Sequence, residues 1–387
     1  MNPWGRTEKK HTAGHFVWNR GARQPVSRDW SLDRAVVSGL EACSWVGICS
    51  AIHQGHLAKM PLRVFERQGS ESTPVDHERD GILRTPNPDM EMEELLPFLG
   101  GHLMLAGDAV GRVVTVTRGG QEIPDEIWPA NPDALRPVPA EPGQPGWISH
   151  YEEREIGKAA VQVPREQVVH AIRFRHPQKP WVGWSALRMV AHAVDLDSQH
   201  VRWNANLVRN EAAPAGVFTD KTIRKTTTLK EVREAVKEAF SGPLHAREPL
   251  VLGADATYMP IGLPPKELDW IQSRNFTVGE IASAFWMLVA RFQASAMTYD
   301  NLATAERYEV LNGSIPLAVA IGTALGRVLL TFEERRRGLF IGPDPSAIEC
   351  LQETFEKASM SYERLVRNGV PKQTARSSWT PSRRFPA

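Results

Sequence analysis

The chain has 387 residues, 42% hydrophobic and 24% charged, with a formal net charge of +1. This length exceeds the roughly 250–300 residues at which single cores stop growing, so at least two structural regions are expected, and the composition excludes a wholly disordered chain. The charge argues against a high-affinity duplex binder, whose grip comes from Lys and Arg neutralising phosphates, but it does not exclude a protein that must let DNA slide.

Cys43, Cys49 and Cys350 are too few and too widely spaced for a disulfide framework or a CxxC metal pair, which fits a reducing compartment. Residues 1–30 are polar and aperiodic and read as a flexible arm without the apolar core of a signal peptide. Ser31 to Met60 reads as one helix capped by Ser31, with Val46, Cys49, His53, His56 and Met60 on one face. Pro61 ends it, and Leu62 to Phe65 alternates like a strand. Arg67 to Asp80 reads as a polar loop and Thr85-Pro86-Asn87-Pro88 as a turn. Glu91 to Ala106 is an amphipathic helix broken by Gly107-Asp108. Ala109 to Thr117 is a strand, closed into a hairpin by Arg118-Gly119-Gly120. Further strands are expected near Glu122–Trp128, Leu135–Val138 and Gln167–Phe174.

After a turn at Trp181-Val182-Gly183-Trp184, Ser185 to Asn210 reads as one helix nearly 40 Å long at about 1.5 Å per residue. Lys221 to Phe240 has charges at helical spacing. Pro249–Leu252 and Ala256–Ile261 read as a strand pair. Pro264 to Ala290 is helical, and Arg291 to Asp300 is polar and irregular. Asn301 to about Arg337 is a long helix with a bend at Gly313 or Pro316. Gly338, Gly342 and Pro343 end it. Pro345 to Asn368 is a last helix before a basic tail. The apolar stretches Ile281–Ala290 and Ile315–Leu330 fall short of the ~20 residues that span a bilayer and read as buried helices, so no membrane association is expected.

Catalytic patterns are missing: no Walker A sequence, no GxGxxG after a strand, no GxSxG, no HExxH. No catalytic residue, metal or cofactor is expected. His53-x-x-His56 has the spacing of a helical metal pair, but with no third ligand in view it reads as two packed helix-face histidines. His192 and His200 read as surface or subunit-contact residues, and Glu93-Glu94 and Glu333-Glu334 as solvated faces. The 12 tryptophans are scattered rather than laddered on one strand face. Lys221, Arg224, Lys225, Lys230 and Arg233 form a cationic run, either a solvated helix face or a surface that meets a partner.

From about Val46 to Trp379 the chain resembles the portal family of long-tailed phages through a series of short motifs in the family's order. These are Cys49 with Ala58-Lys59-Met60-Pro61-Leu62-Arg63-Val64-Phe65, then Pro86-Asn87, Gly107-Asp108-Ala109 and Ile127-Trp128-Pro129-Ala130-Asn131-Pro132. Val168 to Phe174 follows, then Gly183-Trp184-Ser185-Ala186-Leu187 and Asn210 to Val217. Next are Val251 to Asp255 with Pro260-Ile261, and Arg274-Asn275-Phe276 with Glu280-Ile281-Ala282. Thr298-Tyr299-Asp300-Asn301 and Leu365 to Arg376 complete the series. No single motif is specific; their shared order is. The chain departs from the family at Leu288 to Gln293, where Pro-Pro-x-x-Leu-Gly is usual, and in lacking the terminal Asn-Glu.

The resemblance implies an α+β portal fold. Its parts would be an α+β wing (31–180), a stem helix (181–211), a clip (212–263) and a second stem helix (264–290). A tunnel loop (291–301), a tunnel helix (302–331) and a C-terminal wing or crown with a basic tail (332–387) would follow. It implies a non-enzymatic homo-oligomeric ring, dodecameric in the family, assembled in the host cytoplasm and set at one capsid vertex of the virion. Its partners would be double-stranded DNA contacted without sequence preference, the large terminase, the head-tail adaptor and the major capsid protein. Arg291, Gln293, Ser295, Thr298, Tyr299 and Asn301 would line the channel, where weak polar contacts touch phosphates of any sequence. The cationic run would lie in the clip. The competing reading is another capsid-associated protein, or an enzyme with an unrecognised site.

Overall fold

The computed structural model describes residues 32–69, 71–118, 120–141, 143, 146–154, 159–209, 216–220, 256–260, 270–292, 299–351, 364 and 367. Helices and small antiparallel sheets mix along the chain, an α+β arrangement.

The first helical region is not continuous. A turn of helix, α1 (Leu32–Arg34), runs into a π-turn at Ala35–Leu40, and α2 (Ser44–Leu57) starts only after Cys43. Cys43 has extended backbone and makes no side-chain cap. The break lets Cys43 reach across to Asp197, to whose carboxylate its thiol donates at 3.6 Å. The expected face holds: Val46, Cys49, His53 and Met60 are buried, as is Leu57.

β1 (Leu62–Gln68) is central in a three-stranded sheet, between β2 (Glu71–Pro74) and the distant β13 (Leu339–Pro343). The expected loop over Arg67–Asp80 thus contains a strand. The Gly-rich stretch near 340, expected to end a helix, is itself a strand, with Leu62 opposite Pro343 and Phe65 opposite Phe340. The two phenyl rings stack at 5.6 Å. After α3 (Asp80–Arg84), Asn87 is buried and its side-chain amide donates to the Ile127 carbonyl at 2.8 Å, which gives the Pro-Asn pair its structural reason.

α4 (Met92–Leu105) opens with a capping box between Glu91 and Glu94. Gly107 turns the chain with φ +91°. A Cβ there would lie 2.8 Å from the Gly183 carbonyl carbon and the Ser185 nitrogen, so only glycine fits this crossing. β3 (Asp108–Arg118) pairs with β4 (Gln121–Ala130) and with β8 (Val168–Ile172). β5 (Leu135–Pro139), β6 (Ile148–Glu153) and β7 (Val161–Val163) form a separate sheet. β9 (Arg175–His176) and β10 (Lys179–Gly183) form a hairpin where the sequence reading had a turn.

The long helix expected over Ser185–Asn210 is split. Ser185 caps α5 (Ala186–Met189), its hydroxyl accepting from the Arg188 N–H at 3.0 Å. Val190 leaves helical geometry, and α6 (Ala191–Arg209) follows. β11 (Gly216–Asp220) pairs with β12 (Ala256–Pro260), so the described partner of 256–260 is 216–220. The proposed strand at Pro249–Leu252 and the helix at Lys221–Phe240 lie outside the described residues. α7 (Trp270–Ala284) ends six residues before the expected Ala290, and a 3-10 turn, Val289–Phe292, follows.

The second long helix is α8 (Tyr299–Glu309), a π-turn at Val310–Ser314 and α9 (Ile315–Leu329). The irregularity falls at Gly313, one of the two expected bends. The run stops at Leu330, well short of Arg337, and α10 (Phe332–Arg336) restarts behind a Thr331–Glu334 capping box. Asn301–Leu329 is long and apolar enough to cross a membrane by length and composition, yet 61% of its most apolar window is buried in the fold. It packs against α4, β8 and β13 as the central core helix. The last helix, expected over Pro345–Asn368, begins as two 3-10 turns, Pro345–Ala347 and Glu349–Leu351, and most of the remainder lies outside the described residues.

Candidate functional site

A buried polar cluster is built around the π-turn between α8 and α9. One wider turn displaces the helix register, and such turns cluster where a helix does something other than pack. His53, fully buried on α2, points at it. His53 Nε2 lies 2.6 Å from the Phe285 carbonyl, which can only accept, so Nε2 carries the proton. Nδ1 then accepts from the Ser314 hydroxyl at 2.8 Å. Burial pushes the His53 imidazolium down to about 4, keeping the ring neutral. Gly313 is required beneath it, since a Cβ there would lie 2.2 Å from His53 Cε1.

The other side of the turn is held by Arg173. Its guanidinium donates to the Asn312 carbonyl at 2.6 Å and the Gly313 carbonyl at 3.2 Å, two groups that the π-turn leaves available. The guanidinium lies 3.4 Å from the centroid of the Trp286 ring, and Trp286 stacks on Phe174 at 5.7 Å. Trp286 itself has φ +55°, a conformation costing of order 1–3 kcal/mol for a bulky residue. Arg173 above and Phe174 beside it hold the residue there.

A buried ion pair ties the next segment down. Arg291, in the 3-10 turn, donates to Glu309 at 2.9 Å, and Glu309 is fully buried. Burial raises the Glu309 carboxyl to about 7 against the pull of Arg291. A second buried carboxylate, Asp197 on α6, pairs with Arg274 on α7 at 3.4 Å and accepts the Cys43 thiol. Arg274 and Arg291 thus fasten residues 274–291 to α6 at one point and to α8 at another.

The expected site residues divide accordingly. Arg291 is mostly buried and committed to Glu309. Asn301 is exposed on α8, and Tyr299 starts that helix. Gln293, Ser295 and Thr298 lie outside the described residues, as do Lys221, Arg224, Lys225, Lys230 and Arg233. The His53/His56 pair is a packed pair: His56 Nδ1 also reaches the Ser314 hydroxyl, at 3.3 Å. Among the described residues no group of three or more His, Cys, Asp or Glu is placed to hold a metal. His192 is exposed, and Glu94 and Glu334 belong to capping boxes rather than to idle solvated faces. Sequence reasoning missed Arg173, Glu309, Asp197 and Ser314. Glu309, a carboxylate amid the apolar positions of a core helix, was the available signal.

A family model described as phage portal protein matches residues 44–373. Among solved structures, the neck of the native gene transfer agent particle computed with C12 symmetry is similar with a TM-score of 0.63 and 20% identity, covering 93% of this chain and 96% of that one. An HK97-family phage portal protein from Corynebacterium diphtheriae is similar with a TM-score of 0.57 and 14% identity, covering 86% and 99%. An uncharacterized protein of Rickettsia bellii is 24% identical over 237 residues, 60% of this chain and 58% of the relative. One of Rickettsia felis is 30% identical over 122 residues, 31% of each. The chain therefore matches less than two thirds of the length of these curated relatives.

Proposed function

The chain belongs to the phage portal protein family, and we propose that it is one subunit of a closed ring at a capsid vertex, through which DNA enters during packaging and leaves at ejection. The family match over residues 44–373 carries this reading. The physics of ring closure supports it. A head-to-tail contact that closes by rotation needs two different faces on each subunit. The chain offers two apolar stripes. Leu196 and Trp203 lie two turns apart on α6 with Met189 just before them, and Tyr308, Leu311 and Val319 follow one side of the α8–α9 run. All six are between 37% and 52% exposed in the single subunit.

In this reading residues 31–180 form the wing and 332–387 a C-terminal wing or crown with a basic tail. Residues 181–211 and 264–290 form the stem, 212–263 the clip, 291–301 the tunnel loop and 302–331 the tunnel helix. The clip, with Lys221, Arg224, Lys225, Lys230 and Arg233, docks the terminase motor and later the tail adaptor, while the wing faces the major capsid protein. Gln293, Ser295, Thr298, Tyr299 and Asn301 line the channel with neutral hydrogen-bonding groups. Since phosphate affinity grows with each neutralising cation, a polar lining touches DNA of any sequence without holding it. Arg291 serves a different purpose from its neighbours: by pairing with Glu309 it fastens the root of the loop and leaves the lining less cationic. The chemistry needed is mechanical, and the chain works as a conduit rather than a catalyst.

Sedimentation velocity and native mass of the full-length protein test this. One closed species near twelve subunits is expected. A monomer or dimer that persists across concentration and salt contradicts it.

A further inference from the structure

The side chains buried along α8 and α9 change phase at the π-turn. Ala305, Glu309, Ser314, Ala318, Ile321 and Leu325 are all fully buried. Successive members stand three or four residues apart, except that five separate Glu309 from Ser314. On an uninterrupted helix, at about 100° per residue, residues five apart point about 140° away from each other. The π-turn absorbs the extra residue, with the Ile315 N–H reaching back five residues to the Val310 carbonyl. Both halves of the run then bury one face.

Pro316 starts this departure. It has no N–H to offer the Asn312 carbonyl four residues before it, and its ring crowds that carbonyl in a regular α-helix. Arg173 supplies the missing donor at 2.6 Å and takes the Gly313 carbonyl as well, at 3.2 Å. The Ser314 hydroxyl donates to His53 Nδ1, while His53 Nε2 donates to the Phe285 carbonyl. The Arg173 guanidinium also covers the ring of Trp286. Two side chains, one from α2 and one from the residue after β8, thus tie the same turn to Phe285 and Trp286, which follow α7.

We propose that Arg173 and His53 are positioning residues that set the rotation of α8 relative to α9, holding it about 100° from the register that an unbroken helix would give. In that other register each α8 residue moves by one position. Glu306, half-buried here, would take the buried place of Ala305, and Val310 that of Glu309. Arg291 would then face a valine, and the segment 291–301 would lose its anchor on Glu309. The face that α8 leaves in water, Leu302 and Tyr308 included, turns with the helix. That this face borders the path of DNA rests on the reading of the chain as a conduit, whereas the register does not.

Cysteine reactivity along α8 reads the register. Ala305→Cys and Glu306→Cys are introduced singly into the full-length protein, and alkylation by a charged maleimide is located by peptide mass. In the otherwise unaltered chain, position 305 is protected and position 306 reacts. R173Q/S314A/P316A removes both clamp contacts and the proline, and protection is expected to move one residue, from 305 to 306. Deleting Asn312 removes the extra residue, so the same buried face runs on through a continuous helix that needs no clamp. In R173Q/S314A/P316A lacking Asn312, protection is therefore expected back at 305. Protection that stays at 305 in R173Q/S314A/P316A overturns the proposal. So does a loss of protection at both positions that the deletion fails to reverse, because the clamp then holds the fold rather than the register. A loss at both positions that the deletion does reverse supports it. Native mass is read on the same samples. Rings with unmoved protection reject the positioning role and leave the conduit standing. Moved protection in a chain that forms no ring even when unaltered supports the role and counts against the conduit.

Discussion

At Gly313 a hydrogen is all that fits beneath the His53 ring, so Gly313→Ala forces the π-turn or α2 to move. Overpacking of this kind costs about 1–3 kcal/mol, read as a lower midpoint in urea with an unchanged m-value. Arg173→Lys keeps the charge but loses the fork that spans the Asn312 and Gly313 carbonyls. A loss of about 1–2 kcal/mol is expected, with Trp286 fluorescence changing as its cover is removed. The buried titrating groups give a signed pH profile. Between its ordinary 4.5 and about 7, folded Glu309 holds a proton that the unfolded chain releases, so this group lowers stability as pH rises. His53 and His102, pushed by burial from 6.5 to about 4, act in reverse. Between those values the unfolded chain binds protons that the folded chain does not, and stability rises with pH. The urea midpoint should therefore climb from pH 4 to 6.5, and Glu309→Gln should steepen the climb. A shallower climb in that variant contradicts the placement of Glu309. The sequence exposed His53 through its helical spacing with Cys49 and His56. It hid the partners, because Arg173 and Gly313 are 140 residues apart and no local pattern marks a carbonyl left free by a π-turn.

At the scale of elements, those with a strong period or a firm stop were legible. Glu91–Ala106, the Gly107-Asp108 break and the hairpin at Gly119-Gly120 fall within a residue or two of the structure. Elements whose identity depends on a distant partner were not. β13 reads as a helix stop because it contains Gly342 and Pro343, and only its ladder with β1 makes it a strand. β9 and β10 are too short to show alternation, and α7 ends early because Trp286 is held in left-handed geometry by Arg173 and Phe174. The exposed stripe of α6 carries a prediction at this scale. Leu196→Glu/Trp203→Glu places two charges on a face that the single subunit leaves in water. Folding should be unaffected, within about 0.5 kcal/mol for surface substitutions. Ring closure should fail, leaving a monomer by native mass with wild-type circular dichroism. Rings that survive this substitution would place the seam elsewhere.

For the molecule as a whole, the likeness to the family lies in the order of the motifs rather than in any one of them. Pro86-Asn87, Gly107-Asp108-Ala109 and Gly183-Trp184-Ser185 are each commonplace. In the structure Asn87 pins β4, Gly107 admits the backbone of Gly183–Ser185, and Ser185 caps α5, so three short motifs mark successive joints of one fold. No local pattern marks the channel and clip residues, which follow from the family resemblance, and several lie outside the described residues. The central claim is that this chain closes into a ring with α8 and α9 nearest the axis. Electron cryomicroscopy of the purified full-length protein tests it most directly. A ring with an open axial channel, bordered by the 291–301 segment and the α8–α9 run, is the predicted result. A particle with no axial opening, or a ring whose channel is bordered by other elements, contradicts it.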